Sequence, residues 1–427
     1  MSTIEKIYEL YKKAYTVTTD SRTITPGCVF VALKGEHFDG NDFALKVAEE
    51  GIAACVIADR QDLPKRDRLF VVEDSLKALQ ELAKLHREKL GLPVIGITGT
   101  NGKTTTKELV SAVLAKKYNI VFTQGNFNNQ LGVPLTLLRI KPGTELAVVE
   151  MGASHPGDID ELTNLGEPNY GIITNIGRAH LRDFGGYEGV IKTKNEMYQY
   201  IAAHKGLLFV NKDNELLMGL ANNINKVTYS TCSDAETQGK MLSANPYLSV
   251  EWNGHKIDTQ LVGDYNFENV MAAICIGTYF KVAANDIVEA LSNYCPTNNR
   301  SQVVETGKNR VIMDAYNANP TSMSHAIKNF RNICKNDNML ILGDMRELGE
   351  ESEQEHKNIL ELLKELRFEN VYLVGEEFSR VSENSGFSTF NDVEALIQHL
   401  ASHPVSGKDI LVKGSNSVHL NKTIDSL

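Results

Sequence analysis

Apolar residues fall along the chain in three successive patterns. The first opens with Ile4, Ile7, Tyr8 and Tyr11 at helical spacing and passes through a Pro26-Gly27 turn into an apolar run from Cys28 to Leu33. The polar turn His37-Phe38-Asp39-Gly40 precedes a helix that stops at Gly51. Strands at Ala53 to Ala58 and Leu69 to Val72 follow, then a helix from Asp74 or Ser75 to Gly91. This is a small α/β unit spanning residues 1–91.

In the second pattern, short and almost wholly apolar runs alternate with helical stretches. The runs are Val94 to Thr98, Ile120 to Thr123, Leu146 to Met151, Gly171 to Ile176 and Leu207 to Val210. Strands without a polar face belong to a mostly parallel sheet covered on both sides. Lys226 to Val262 reads differently, as short strands with an Asn253-Gly254 hairpin turn, and helices from Asn266 to Phe280 and on to about Tyr294 complete a unit of residues 92–298. The polar break Cys295-Pro296-Thr297-Asn298-Asn299 is the expected linker. Residues 299–427 form the third pattern, with strands at Val311 to Ala315, Met339 to Leu342, Val371 to Val374 and Ile410 to Val412. They alternate with helices at Pro320 to Cys334, Glu351 to Leu366 and Asp392 to Ala401. That spacing predicts a doubly wound sheet of the dinucleotide-fold type. The fold class is α/β, in three domains.

Composition narrows the function. At 427 residues the chain exceeds what one core accommodates, and 42% apolar with 23% charged residues is the balance of a globular enzyme rather than a disordered chain. A formal charge of -10 provides no general attraction for nucleic acid. The N-terminus has no apolar signal core and no run of eighteen apolar residues occurs, so a cytoplasmic protein without membrane insertion is expected. Cys28, Cys55, Cys232, Cys275, Cys295 and Cys334 lack C-x-x-C spacing and read as buried reduced thiols.

The candidate chemistry centres on Val94 to Thr106. A buried strand ends at Thr98-Gly99-Thr100-Asn101-Gly102-Lys103-Thr104 and a helix reading from Lys103 to Lys117 follows, so the amides of Thr100 to Thr104, the helix N-terminus and Lys103 can meet phosphate while Thr104 reaches Mg²⁺. Ile97 stands where the longer phosphate-loop motif has its first glycine, which leaves the shorter G-x-x-G-K-T form. Glu150 ends an apolar strand, where a carboxylate either holds nucleotide-bound Mg²⁺ or is simply solvated. His180 also follows a strand end, open to packing or to a metal or phosphate role. Lys192 and Lys194 read as solvated helix lysines. The amides Asn126, Asn128 and Asn129 suit either a ligand or a turn network, and Asp314 to Pro320 either a helix cap or contact with a nucleotide base. Asn211-Lys212-Asp213-Asn214 places its acid one position early for a guanine-reading motif, and the acids of Glu350 to Glu355 are expected at a helix N-terminus.

At Thr98 to Thr104, Gly125 to Pro134, Glu150 to Ala153, Asn175 to His180 and Asp314 to Pro320, the chain resembles the Mur ligase family over essentially its whole length. Asp20-Ser21-Arg22 and Leu342-Gly343-Asp344-Met345-Arg346-Glu347-Leu348-Gly349 are similar to its D-alanyl-D-alanine-adding branch. The Asn-Pro-Arg motif usual in the diaminopimelate- or lysine-adding branch is absent. The resemblance implies a first domain holding the UDP end of a muramoyl tripeptide, with Ser21, Arg22, Asn126, Asn128 and Asn129 as substrate contacts. It implies a central domain using ATP and Mg²⁺, and a third bringing D-alanyl-D-alanine. Asn269, Arg300, Asp314 and Asn317 become nucleotide contacts, and Lys194 a carbamylated ligand, beside His180, for a second Mg²⁺. Lys103, Glu150, His180 and Lys194 are then the catalytic set of a monomeric enzyme that forms an acyl phosphate. Another amino-acid ligase of this kind is the alternative, and a regulatory phosphate-loop ATPase a further one. The chain departs from the family at Asp264-Tyr265, where histidine is common, and at Asn416, where Lys413-Gly414-Ser415 is usually followed by arginine.

Overall fold

A computed structural model describes residues 1–178, 181–231, 234–297, 300–334, 337–383 and 385–427. Three sheets follow one another along the chain. The first holds β1 (Val17–Thr18), β2 (Val29–Val31), β3 (Cys55–Ala58) and β4 (Leu69–Val71), parallel and in chain order. The helices Thr3–Tyr11 and Ser75–Leu90 cover one face. Their apolar stripe also meets the central unit: Tyr11 donates to the Leu138 carbonyl at 2.7 Å, and a ring nitrogen of His86 lies 2.9 Å from that of Ile140. Ile7, Tyr11, Leu79 and Leu82 therefore share one core with Val94, Leu138 and Ile140.

The central sheet has nine strands, β5 (Val94–Thr98), β6 (Ile120–Phe122), β7 (Leu146–Glu150), β8 (Tyr170–Ile173), β9 (Leu207–Asn211), β10 (Lys226–Ser230), β11 (Thr237–Ala244), β12 (Tyr247–Trp252) and β13 (His255–Val262). Their spatial order is β13-β12-β11-β10-β9-β8-β5-β7-β6. Every residue of β5 and β7 is buried, and the two-residue period splits them between two cores. Ile95, Ile97, Leu146 and Val148 face the helices Lys103–Leu114 and Phe267–Tyr279, whereas Val94, Ala147 and Val149 face the core shared with the first unit. Strands with two buried faces must be apolar throughout, as the sequence pattern shows. The region from Lys226 to Val262 extends this sheet, ending in an antiparallel β11–β12–β13 meander. Its last turn has φ 49° at Asn253 and 76° at Gly254, the two left-handed residues of a type I′ hairpin.

The third sheet contains β14 (Gln302–Glu305), β15 (Arg310–Asp314), β16 (Asp337–Gly343), β17 (Val371–Val374), β18 (Ser388–Phe390) and β19 (Lys408–Lys413). Its order is β14-β15-β19-β16-β17-β18, parallel except for the β14 edge. The last strand is thus inserted beside the early ones, which brings the carboxyl ends of β15, β19 and β16 together. Sequence periodicity did not reveal β14 or β18. Both are short edge strands without a strong apolar run. The helix after the phosphate loop ends at Leu114 rather than Lys117.

Candidate active site

β5, β7 and β8 end side by side, and their carboxyl-terminal turns build the phosphate loop and its supports. Gly99 has φ 145°, and a Cβ there would lie 2.0 Å from Thr174 Oγ1. Thr174 and Asn175 fasten the loop from behind. The Thr174 hydroxyl donates to the Asn101 carbonyl at 2.6 Å, the Thr100 and Asn101 amides donate to Asn175 at 2.9 and 3.0 Å, and Asn175 Nδ2 donates to the Asn101 carbonyl at 3.0 Å. Two of the five amides expected to meet phosphate are therefore engaged. Among the described residues, the amides of Gly102, Lys103 and Thr104 make no such bond, and that of Thr105 joins them in the open first turn of the helix. Thr98 is wholly buried beneath the loop, and neither it nor Gly99 lines the cleft. They shape the turn.

Gly102 has φ 77° and a Cβ there would sit 2.5 Å from Asn269 Oδ1. That oxygen accepts from Thr106 at 3.0 Å, and Asn269 Nδ2 donates to Asn266 Oδ1 at 3.0 Å, so Asn269 braces the loop from the next helix while lining the cleft. Gly102→Ala is expected to destabilise the protein by about 1–2 kcal/mol from backbone strain alone, and to raise the KM for ATP because Asn269 must move. Thermal unfolding and steady-state kinetics measure the two effects.

Lys103 Nζ donates to the Gly99 and Thr100 carbonyls at 2.8 and 3.0 Å. Burial lowers its pKa, and the Glu150 charge opposes that shift. Glu150 is 1% exposed, so it is not a solvated strand end. Its Oε1 accepts from Thr104 at 3.2 Å and Asn128 Nδ2 at 2.8 Å, its amide donates to Thr123 Oγ1 at 3.0 Å, and its Oε2 is buried with no hydrogen-bond partner. An orphaned carboxylate oxygen beside a threonine hydroxyl fits a Mg²⁺ that keeps its remaining sites for water and phosphate. Among the described residues, no three His, Cys, Asp or Glu side chains converge on one point. Asn126 lines the cleft as well, whereas Asn129 accepts from the Leu131 and Gly132 amides and serves as a turn cap.

Lys194 lies on the helix Tyr187–Ala203 and is 3% exposed, so it is not the solvated lysine its composition suggests; Lys192 is exposed. Its ammonium sits 5.8 Å from the centre of the Phe184 ring. Burial first, and repulsion from Lys103 second, bring its pKa down to about 7. His180 lies outside the described residues.

The third sheet contributes the opposite wall. Asp314, at the end of β15, accepts from Lys413 Nζ at 2.6 Å and from the Ser301 amide at 3.2 Å. The Arg300 guanidinium lies 3.9 Å from the Tyr316 ring centre, and its Nε is buried without a partner. Asn317 is exposed to the cleft, with Oδ1 accepting from the Ala318 amide at 2.9 Å. Asn319 caps the helix Pro320–Ile333 through Oδ1, and its Nδ2 reaches across to Asn101 Oδ1 at 2.8 Å. The cap reading of this segment holds for Asn319, while Asp314, Tyr316 and Asn317 line the cleft. Thr174, Asn175, Asn319 and Lys413 were not singled out from sequence as site residues. Asn175, Asn319 and Lys413 lie in the quoted motifs and Thr174 in the apolar run before them, but their partners are remote in the chain.

Together these walls enclose a cleft of about 740 Å3, with the phosphate loop, Glu150 and Asn269 on one side and Arg300, Asp314, Tyr316 and Lys413 on the other. That volume suits a nucleotide. Ser21 and Arg22 are not part of it. They form a turn in the first domain, where the exposed Arg22 side chain donates to Asp20 and holds that carboxyl down to about 2. Asp344, just after β16, is fully buried and accepts from the Glu377 and Phe378 amides, which ties the end of this strand to the helix Glu376–Val381.

Comparison with known proteins converges on the same architecture. Residues 13–87 match the Mur ligase family catalytic domain, 97–277 the Mur ligase middle domain, and 299–416 the Mur ligase glutamate ligase domain. The UDP-N-acetylmuramoyl-tripeptide--D-alanyl-D-alanine ligase of Bacillus subtilis is 35% identical, with 96% of this chain and 92% of that protein covered. Its Escherichia coli counterpart is 33% identical over 96% and 93%. The crystal structure of MurF from Acinetobacter baumannii superposes with a TM-score of 0.83 at 30% identity, covering 95% of this chain and 92% of that one. MurF from Thermotoga maritima in complex with ADP superposes with 0.84 at 26%, covering 100% and 98%. With three family segments in order along the sequence and full-length relatives above 30% identity, the chain belongs to the Mur ligase family.

Proposed function

We infer that this chain is an ATP-dependent, ADP-forming ligase that joins D-alanyl-D-alanine to UDP-N-acetylmuramoyl-tripeptide in cytoplasmic peptidoglycan precursor synthesis. The observation that carries this reading is the pairing of a phosphate loop and an orphaned Glu150 oxygen with a third-domain wall of Arg300, Asp314 and Lys413 across one cleft. A regulatory ATPase has no need of that second wall. Full-length relatives bearing this activity support the substrates. Among the described residues no helix is long and apolar enough to cross a membrane. Cys28, Cys55 and Cys275 are buried free thiols, while Cys295 is exposed and Cys334 intermediate, which suits a reducing cytoplasm. The proposed active unit is a monomer.

An amide forms from a carboxylate only after one carboxylate oxygen becomes a leaving group. The acceptor carboxylate attacks the γ-phosphorus of ATP, the bond to the β-γ bridging oxygen breaks, and ADP leaves. The dipeptide amine then attacks the acyl carbon, phosphate departs, and the amine loses a proton. Lys103, released from its two carbonyls, and the amides of Gly102 to Thr105 offset charge on the transferring phosphoryl. Thr104 and Glu150 would hold a Mg²⁺, which supplies further positive charge to those oxygens. Arg300, Asp314, Asn317 and Asn269 contact the nucleotide, and Ser21 and Arg22 the UDP end of the acceptor. Lys194, whose pKa burial lowers, can in its neutral form add carbon dioxide and lose a proton to become a carbamate. With His180 it would then hold a second Mg²⁺ near the acceptor carboxylate.

Incubation with ATP, Mg²⁺, D-alanyl-D-alanine and UDP-muramoyl-tripeptides that differ at the third residue tests the reading, with products weighed by mass spectrometry. One molecule each of ADP and phosphate is expected per pentapeptide formed, and only when both substrates are present. Equal ATP hydrolysis without them would overturn it.

A further inference from the structure

A second cavity, of about 590 Å3, opens at the opposite end of the central sheet, where β8 and β9 begin. Its most constrained member is Arg87, on the helix Ser75–Leu90 and only 5% exposed. Nε donates to the Gly166 carbonyl at 3.2 Å, and Nη2 donates to the Glu167 carbonyl and to Asn169 Oδ1 at 3.1 and 3.2 Å. These acceptors are neutral, and by donating to the Gly166 and Glu167 carbonyls Arg87 caps the C-terminus of the helix Asp158–Gly166. Nη1 donates to no described residue. Burial lowers the Arg87 pKa and the Glu167 charge only partly opposes that shift, so a guanidinium whose hydrogen-bond acceptors are all neutral and which lines a cavity can take a further anion at Nη1.

Two further donors, on Tyr200 and Lys205, and the His204 ring line the same space. The Tyr200 hydroxyl makes no hydrogen bond to a described residue. His204 donates from Nδ1 to the Tyr200 carbonyl at 2.9 Å and so offers the cavity its ring rather than a second donor, and the Lys205 ammonium is exposed. Glu167 is the single acid among the lining residues, and its charge favours the Arg87 cation without a salt bridge within 4 Å among the described residues. Positive charge and donors therefore predominate. The walls are aromatic: His204 stacks on Tyr200 with ring centres 4.0 Å apart, and Tyr170 packs edge-on against Tyr279 at 5.6 Å. Flat rings beside converging donors favour a planar, ring-bearing ligand with an oxyanion.

We propose that this cavity is a second ligand site, separate from the nucleotide cleft, for a small ring-bearing organic phosphate or carboxylate that places its oxyanion on Arg87 Nη1. The helix Tyr187–Ala203 carries Tyr200 near one end and Lys194 in its middle, about 9 Å apart along the axis. The occupant thus packs against the helix that positions Lys194.

Titration of the full-length protein, its nucleotide cleft saturated with ADP, tests the proposal by calorimetry and by thermal shift. Phenyl phosphate and benzoate are the ring-bearing probes, inorganic phosphate supplies the oxyanion alone and phenol the ring alone. Saturable binding of phenyl phosphate or benzoate with ADP present is expected, tighter than that of either fragment, and the better probe identifies the oxyanion. The double variant His204→Ala, Lys205→Asn removes exposed side chains only, and asparagine tolerates the left-handed backbone at 205, where φ is 55°. It should fold normally and weaken binding about tenfold. Absence of binding by both ring-bearing probes at millimolar concentration, binding abolished by ADP, or unchanged affinity in the double variant would each overturn the proposal. None of these outcomes depends on ligase activity, so failure here is distinguishable from failure of the proposed function.

Discussion

Lys194→Ala is expected to lower kcat by about 10²–10³-fold, the scale of losing a group that stabilises charge in the transition state. Fold should be retained, because the substitution removes a buried cation whose ammonium lies over the Phe184 ring and whose charge burial disfavours. Short carboxylic acids such as formate or acetate should restore part of the rate by standing in for the carbamate. Titration supplies an independent check. Burial holds the folded-state pKa near 7, below the ordinary lysine value of 10.5. The unfolded chain therefore binds more protons than the folded one between those values, and the burial cost of the charged form is present in full below pH 7 and is relieved as pH rises toward 10.5. Carbamate occupancy follows the neutral amine, so activity at fixed carbon dioxide should fall as pH drops below about 7. A rate in the alanine variant equal to that of the parent would remove Lys194 from the reaction.

Glu150→Gln should separate stability from activity. The amide oxygen can still accept from Thr104 and Asn128, so the local geometry survives, while the orphaned buried charge disappears. Thermal stability measured without Mg²⁺ is expected to be unchanged or higher. The rate should nevertheless fall by about 10²–10³-fold, with a raised Mg²⁺ requirement, because a neutral amide is a poorer ligand for a hard cation. Retention of the parental rate and Mg²⁺ dependence would show that Glu150 does not hold the cation.

Residues whose roles follow from local spacing were legible in the sequence. β5, the glycine turn and Lys103 are contiguous, and Glu150 is marked by the apolar run it ends. Roles that depend on distant partners were not. Asn175 holds Asn101 across 74 residues, and Asn319 holds it across 218. The burial of Lys194 is equally tertiary: on its own helix it looks like Lys192, and only the Phe184 segment and the sheet beneath distinguish them. In the third domain, alternation of strands and helices revealed the layers. The insertion of β19 between β15 and β16, which carries Lys413 to Asp314, is a matter of sheet order that periodicity does not encode.

The two hydrogen bonds from the Lys103 ammonium to Gly99 and Thr100 make the loop's own backbone a competitor for its proposed phosphate-binding cation. Nucleotide affinity is then a difference between two sets of acceptors, each contact to a charged donor being worth about 1.5–3 kcal/mol. Substitutions that tighten or loosen the Gly99–Thr100 turn can therefore shift ATP affinity in either direction without touching an atom that the nucleotide meets.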